Sequence, residues 1–210
     1  VACTGTLPAL EAQQREIVMN RRALLVQGCW AAASFLLCCL ASPGKAFALG
    51  GVLPQLGQRA PDFDLAGVSP DATGQPLDTT VSLETLKGRW VVFYFYPKDF
   101  TSGCTLEARG FQRDLEAFAA ANAVVIGVSA DNPDQHAEFC GSEGLRYTLL
   151  SDPGGVVSQR YGSWIAPFSQ RHTFLIDPNG VLQASWTAVR PAGHSQEVLG
   201  QLMSLQSRTA

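Results

Sequence analysis

The residues best suited to chemistry lie in Pro97-Lys98-Asp99-Phe100-Thr101-Ser102-Gly103-Cys104, which joins an apolar β-rich run to the start of a helical pattern. A thiol in the first turn of a helix meets unpaired N–H groups and the positive end of the helix dipole. Both favour the thiolate, the nucleophilic form. Without such help a cysteine titrates near roughly 8.5 and is mostly protonated at neutral pH. Thr101, three residues earlier, can bring its hydroxyl near the sulfur if the loop is already winding into helix. Gly103 has no Cβ and lets a small substrate approach the backbone, and Pro97 sets the chain direction and can shield the sulfur from bulk water. A lone cysteine is ordinarily a small buried hydrophobe. The whole P-x-x-x-T-x-x-C string at a strand-to-helix connection, where α/β sheets build their sites, points instead to a nucleophile.

The other cysteines do not make a disulfide framework. Of six, Cys3, Cys29, Cys38 and Cys39 precede residue 50, which leaves Cys104 and Cys140 for the globular part. No C-x-x-C pair occurs, and His136, His172 and His194 are not spaced as zinc ligands, so neither a metal nor a cofactor is expected. With 46% hydrophobic and 16% charged residues, a net charge of -3 and scattered Lys and Arg, the chain lacks the footprint of a nucleic-acid binder.

The elements that must position Cys104 alternate between short β-rich runs and helices, as in one compact α/β domain. Trp90 to Tyr96 (WVVFYFY) reads as a strand buried on both faces, closed by Pro97. A helix follows from about Cys104, with Leu106, Phe111, Leu115 and Phe118 at helical spacing. Ala123 to Ser129 is the next strand, and Asn132-Pro133 supplies an N-cap and first-turn proline for a helix carrying Phe139 and Cys140. Thr148 to Leu150 and His172 to Ile176 are further strands, with a short helical segment at Val156 to Tyr161 between them. Asp177-Pro178-Asn179-Gly180 turns the chain into a hairpin over Val181 to Val189, and Ser195 to Leu205 closes the domain as an amphipathic helix. Ala60 to Ser82 holds one or two edge strands. The order predicts a thioredoxin-like α/β fold, a central mixed β-sheet flanked by helices.

Upstream, a basic start at Met19-Asn20-Arg21-Arg22, an apolar stretch from Ala23 to Ala41, a Ser42-Pro43-Gly44 break and the small-x-small signal Ala46-Phe47-Ala48 have the anatomy of an export signal. We read residues 19–48 as a signal peptide cleaved after Ala48, residues 49–210 as the domain, and residues 1–18 as an upstream segment preceding a start at Met19. The paired arginines fit either a twin-arginine or an ordinary export route. Gln27, Gly28 and Ser34 make the stretch a poor membrane anchor, so no stable membrane insertion is expected. A two-part plastid presequence is the rival, and Glu11 and Glu16 weigh against it. The destination is a periplasm or a thylakoid lumen.

Beyond these readings the chain resembles the peroxiredoxins, specifically the bacterioferritin-comigratory-protein or peroxiredoxin Q branch. The resemblance is carried by Ala60-Pro61-Asp62-Phe63, FYFYPKDFTSGCT, Leu149-Leu150-Ser151-Asp152, Arg171-His172-Thr173-Phe174-Leu175-Ile176-Asp177 and Gly193-His194, across residues 55 to 205. It implies a thioredoxin-dependent peroxidase, an antioxidant enzyme that acts on hydrogen peroxide or organic hydroperoxides without a cofactor, recharged by a thioredoxin-like donor. A monomer is the expected form, though the sequence by itself does not decide it. It further implies that Cys104 is the peroxidatic cysteine, oxidised to a sulfenic acid, with Thr101 and Arg171 as companions. Glu107 either orients Arg171 or only decorates the first helical turn.

The chain departs from that branch at three places. Ser102 replaces a common proline, Phe100 replaces a common acidic residue, and Arg109 occupies the position, five residues after Cys104, where many members carry a resolving cysteine. The remaining resolver is Cys140, on the later helix, as in some members; its alternative is simple packing beside Phe139. A thiol-disulfide oxidoreductase on the same fold would want a C-x-x-C, but Thr101 stands three residues before Cys104. A non-enzymatic binding module leaves Thr101, Cys104 and Arg171 unexplained.

Overall fold

The structure is a computed structural model and describes residues 47–48 and 50–208. The proposed signal peptide, but for Phe47 and Ala48, and the upstream segment lie outside the described residues. Two-residue strands β1 (Phe47–Ala48) and β2 (Gly51–Val52) form a small antiparallel pair.

The main sheet is built from β3 (Asp64–Pro70), β4 (Pro76–Ser82), β5 (Trp90–Phe95), β6 (Ala123–Ser129), β7 (Thr148–Ser151), β10 (His172–Ile176) and β11 (Leu182–Trp186), in the order β11-β10-β5-β6-β7-β3-β4. The pairs β5–β6 and β6–β7 are parallel and the others antiparallel, so the sheet is mixed. The strands β8 (Trp164–Ile165) and β9 (Phe168–Ser169) make a separate hairpin that sequence patterning did not reveal. Two-residue strands are too short to show a period.

Every residue of β5 is buried, and its side chains alternate between two cores. Val91, Phe93 and Phe95 face one cluster with Ile126, Tyr161 and Phe174. Trp90, Val92 and Tyr94 face the other, which contains Tyr96, Phe111, Phe118, Phe139, Val198 and both Cys104 and Cys140. This second face is covered by α1 (Ser102–Arg113), α2 (Leu115–Ala120), α3 (Pro133–Glu143) and α5 (His194–Ser207), while α4 (Val156–Arg160) packs Val157 into the first core.

The single helix read after Cys104 is two, broken at Asp114. Asp114 accepts hydrogen bonds from Arg113 and from the Ser195 hydroxyl (2.6 Å), which fastens the break to α5. The expected start of α3 is present as a capping box: Asn132 Oδ1 accepts from the Gln135 N–H (2.9 Å) and Gln135 Oε1 from the Asn132 N–H (3.1 Å). These termini fix where Cys104 and Cys140 stand on their helices.

Candidate active site

The end of β5 delivers the chain into the Pro97–Thr101 loop, and Thr101 becomes the N-cap residue of α1 with an extended backbone. Cys104 is therefore the third residue of the helix, inside the first turn. Ser102 takes the first position, where proline is also well accommodated. The Thr101 hydroxyl donates to the Lys98 carbonyl at 3.0 Å and so closes the loop on itself. Cys104 is 2% exposed, against a core of aromatic side chains.

Arg171 reaches the thiol from the far end of the sequence. The strand β10 lies beside β5 with His172 opposite Phe95, so the residue before His172 arrives where β5 gives way to the loop. Arg171 Nη2 donates to Cys104 Sγ at 3.3 Å, and Nη1 donates to the Glu107 carboxylate. Burial pulls the guanidinium down, but Glu107 and the Cys104 sulfur outweigh it and hold Arg171 charged above its ordinary value. A Cβ on Gly103 would stand 3.2 Å from Arg171 Nη2 and 3.7 Å from Pro191 Cγ. Glycine here leaves room for the guanidinium beside the helix N-terminus.

Glu107 is no surface decoration. It is 1% exposed, and only one of its oxygens, the one facing Arg171, has a hydrogen-bond partner among the described residues. Burial pushes its carboxyl up to about 7, with Arg171 opposing the shift. Its place one helical turn beyond Cys104 is the signal that sequence reading noticed without being able to decide, since burial of that face depends on the sheet.

On the other face of β10, His172 is fully buried and neither ring nitrogen has a partner of good geometry among the described residues. Burial lowers it to about 4, and the Gly162 backbone offsets only part of the effect.

The two groups act on stability in opposite senses. The folded state holds the Glu107 proton more tightly than the unfolded chain does, so stability falls as pH rises from 4.5 to about 7. The folded state repels a proton from His172, so stability falls as pH drops from 6.5 to about 4. Each amounts to about 3 kcal/mol over its window. Urea denaturation of Glu107→Gln should show stability climbing from pH 4.5 to 6.5, and His172→Leu should show it declining over that interval. Parallel pH dependences in the two variants would refute both assignments.

Cys140 lies on α3, 4% exposed, in the same core cluster as Cys104, and both thiols are free. Burial first, and the negative charge of Asp99 second, push the Cys140 thiol up to about 12. In this conformation it stays a thiol. Arg109 instead ties α1 to α3 through a 2.6 Å ion pair with Glu143.

A buried thiol in the first turn of a helix, paired with a buried-side arginine on a thioredoxin-like sheet, defines the class of cysteine-based redox enzymes that attack small substrates at a strand-to-helix junction. Comparison with known proteins narrows that class. A model of the AhpC/TSA family matches residues 56–185. The chain is 40% identical over 156 residues to the putative peroxiredoxin bcp of Coxiella burnetii, covering 70% of this chain and 98% of that one. It is 38% identical over 154 residues to the chloroplastic peroxiredoxin Q of Sedum lineare, covering 71% and 78%. Among solved structures, peroxiredoxin Q of Xanthomonas campestris superposes with a TM-score of 0.60 at 32% identity, covering 67% of this chain and 89% of that one. The chain belongs to the AhpC/TSA family, in its peroxiredoxin Bcp/Q group, and is a thiol peroxidase.

Proposed function

We propose that Cys104 is the peroxidatic cysteine, that Arg171 and Glu107 orient and charge its surroundings, and that Cys140 is the resolving cysteine. The observation that carries this reading is the pairing of Arg171 Nη2 with Cys104 Sγ at a helix N-terminus. The Cys104 thiolate attacks one oxygen of the hydroperoxide, the O–O bond breaks, and the leaving oxygen departs as water or an alcohol after protonation. Cys104 is left as a sulfenic acid. Arg171 stabilises charge on the departing oxygens, with Gly103 giving it room beside the sulfur. Pro97 starts the loop and Thr101 closes it through Lys98, which places the sulfur in the first turn.

Substrates are hydrogen peroxide and organic hydroperoxides. A solved relative, the X. campestris bacterioferritin comigratory protein, is described with alkyl peroxide reduction activity. The proposed reductant is a thioredoxin-like dithiol, and the working form a monomer. Action outside the cytosol, in a periplasm or a thylakoid lumen, rests on the Met19 to Ala48 pattern, and the S. lineare relative is named as chloroplastic.

Cys140 shares the Cys104 face of the sheet, whereas Arg109 removes the short-range alternative. Joining the two thiols requires the first turn of α1 to unwind, because a disulfide needs close Cα atoms. One equivalent of peroxide is expected to give an intramolecular Cys104–Cys140 disulfide in non-reducing peptide mass spectrometry. A persistent sulfenic acid on Cys104, or a dimer linked through it, would make the enzyme a one-cysteine type.

A further inference from the structure

A second cluster of buried polar groups joins the loop before Cys104 to α3, the helix that carries Cys140. Asp99, in the loop before Cys104, is 3% exposed, and His136, in the first turn of α3, is fully buried. His136 Nδ1 lies 2.8 Å from Asp99 Oδ2, and Nε2 lies 3.2 Å from the Leu150 carbonyl. The His136 ring thus bridges the Asp99 carboxyl of the loop and the Leu150 carbonyl of β7. The Tyr96 hydroxyl donates to Asp99 Oδ1 at 2.7 Å, and the Asp99 N–H donates to Asp131 Oδ2 at 2.9 Å, itself held by the Ser129 hydroxyl. Beside this network Phe100 packs edge-on against Phe139 of α3, with ring centroids 5.1 Å apart. The loop is thus fixed to α3 at two consecutive residues.

The placement matters for the second half of the cycle. His136 and Cys140 are four residues apart on α3, on one face and about 6 Å apart along the axis. Asp99 precedes Cys104 by five residues, so even a fully extended chain keeps Cys104 within about 17 Å of the clamp.

We propose that Asp99 and His136 are positioning residues for disulfide formation, clamping the loop to α3 so that Cys104, once the first turn of α1 unwinds, is released onto Cys140. This rests on Cys140 being the resolving cysteine. In the step served, the Cys140 sulfur attacks the Cys104 sulfenic sulfur, the S–S bond forms and the S–O bond breaks. The hydroxyl leaves as water with the Cys140 proton, so Cys104 is reduced as Cys140 is oxidised. The clamp gives the two sulfurs a high effective concentration without touching peroxide. It also spares Cys104 from a second peroxide, which would carry the sulfenic acid on to sulfinic acid.

The test uses the full chain and its His136→Phe, Asp99→Asn and double variants, with hydrogen peroxide as substrate. Quenched samples are followed separately for loss of the Cys104 thiol and for appearance of the Cys104–Cys140 disulfide. Cys104 oxidation is expected to stay within about threefold of wild type while disulfide formation slows about tenfold or more, the double variant matching the slower single. Sulfinic acid on Cys104 should rise under excess peroxide. Tyr96→Phe removes one bond to Asp99 while keeping the ring, and should slow the same step by less, which keeps the test open if a variant at 99 or 136 does not fold. Unchanged disulfide rates, or equal slowing of both steps, would overturn the clamp. A wild-type protein that oxidises at Cys104 yet never forms the disulfide would instead overturn the resolving role of Cys140.

Discussion

Cys104→Ser is expected to lose peroxide consumption by more than about 1,000-fold, leaving only the background of the added dithiol. A serine hydroxyl in the same first turn keeps the geometry but is a far weaker nucleophile and cannot accept oxygen to form a sulfenic acid. The sulfur is also the atom on which Arg171 Nη2 rests (3.3 Å), with Nη1 turned to Glu107, so the serine variant loses the group that the arginine faces. Cys140 is no substitute, because burial and Asp99 keep it a thiol. The check is a peroxide-consumption assay with dithiothreitol, and equal rates for the two proteins would remove the basis of the whole reading.

Arg171→Met should lower the rate of Cys104 oxidation by about 100- to 1,000-fold, the range for loss of one preorganised donor at a developing charge. Arg171→Lys should recover little of it. The guanidinium donates through Nη1 to Glu107 and through Nη2 to Cys104 at once, and a lysine ammonium is a point charge without that planar fork. In the Met variant Glu107 would also lose its cationic partner in a buried setting, and protonation of its carboxyl would relieve the charge. The large effect therefore belongs to kinetics, while thermal unfolding near neutral pH should show a far smaller change. A lysine variant with wild-type oxidation kinetics would show that charge alone suffices and that the fork has no role.

Much of this protein is legible one segment at a time. The continuous apolar run at Trp90 to Tyr96, Asn132-Pro133 at a helix start and the Asp177 to Gly180 turn each specify their own conformation through neighbouring residues, and the structure places all three, with the strand ending one residue earlier, at Phe95. Local patterning was insufficient where neighbours along the chain are not neighbours in space. The break at Asp114 depends on Ser195 and the β8–β9 hairpin on residues too few to carry a period.

The same division runs through the site. The sequence by itself determined a thiol at a strand-to-helix junction, with proline, threonine and glycine at set distances, because those requirements are met within eight consecutive residues. The tertiary structure alone decided which distant groups meet that thiol. Arg171 reaches Cys104 because β10 pairs with β5 in one register, Glu107 is buried because α1 lies on the sheet, and Asp99 finds His136 because α3 covers the loop. Strand pairing and helix docking are chosen by burial of apolar surface summed over the whole domain, a quantity that no short stretch of sequence contains.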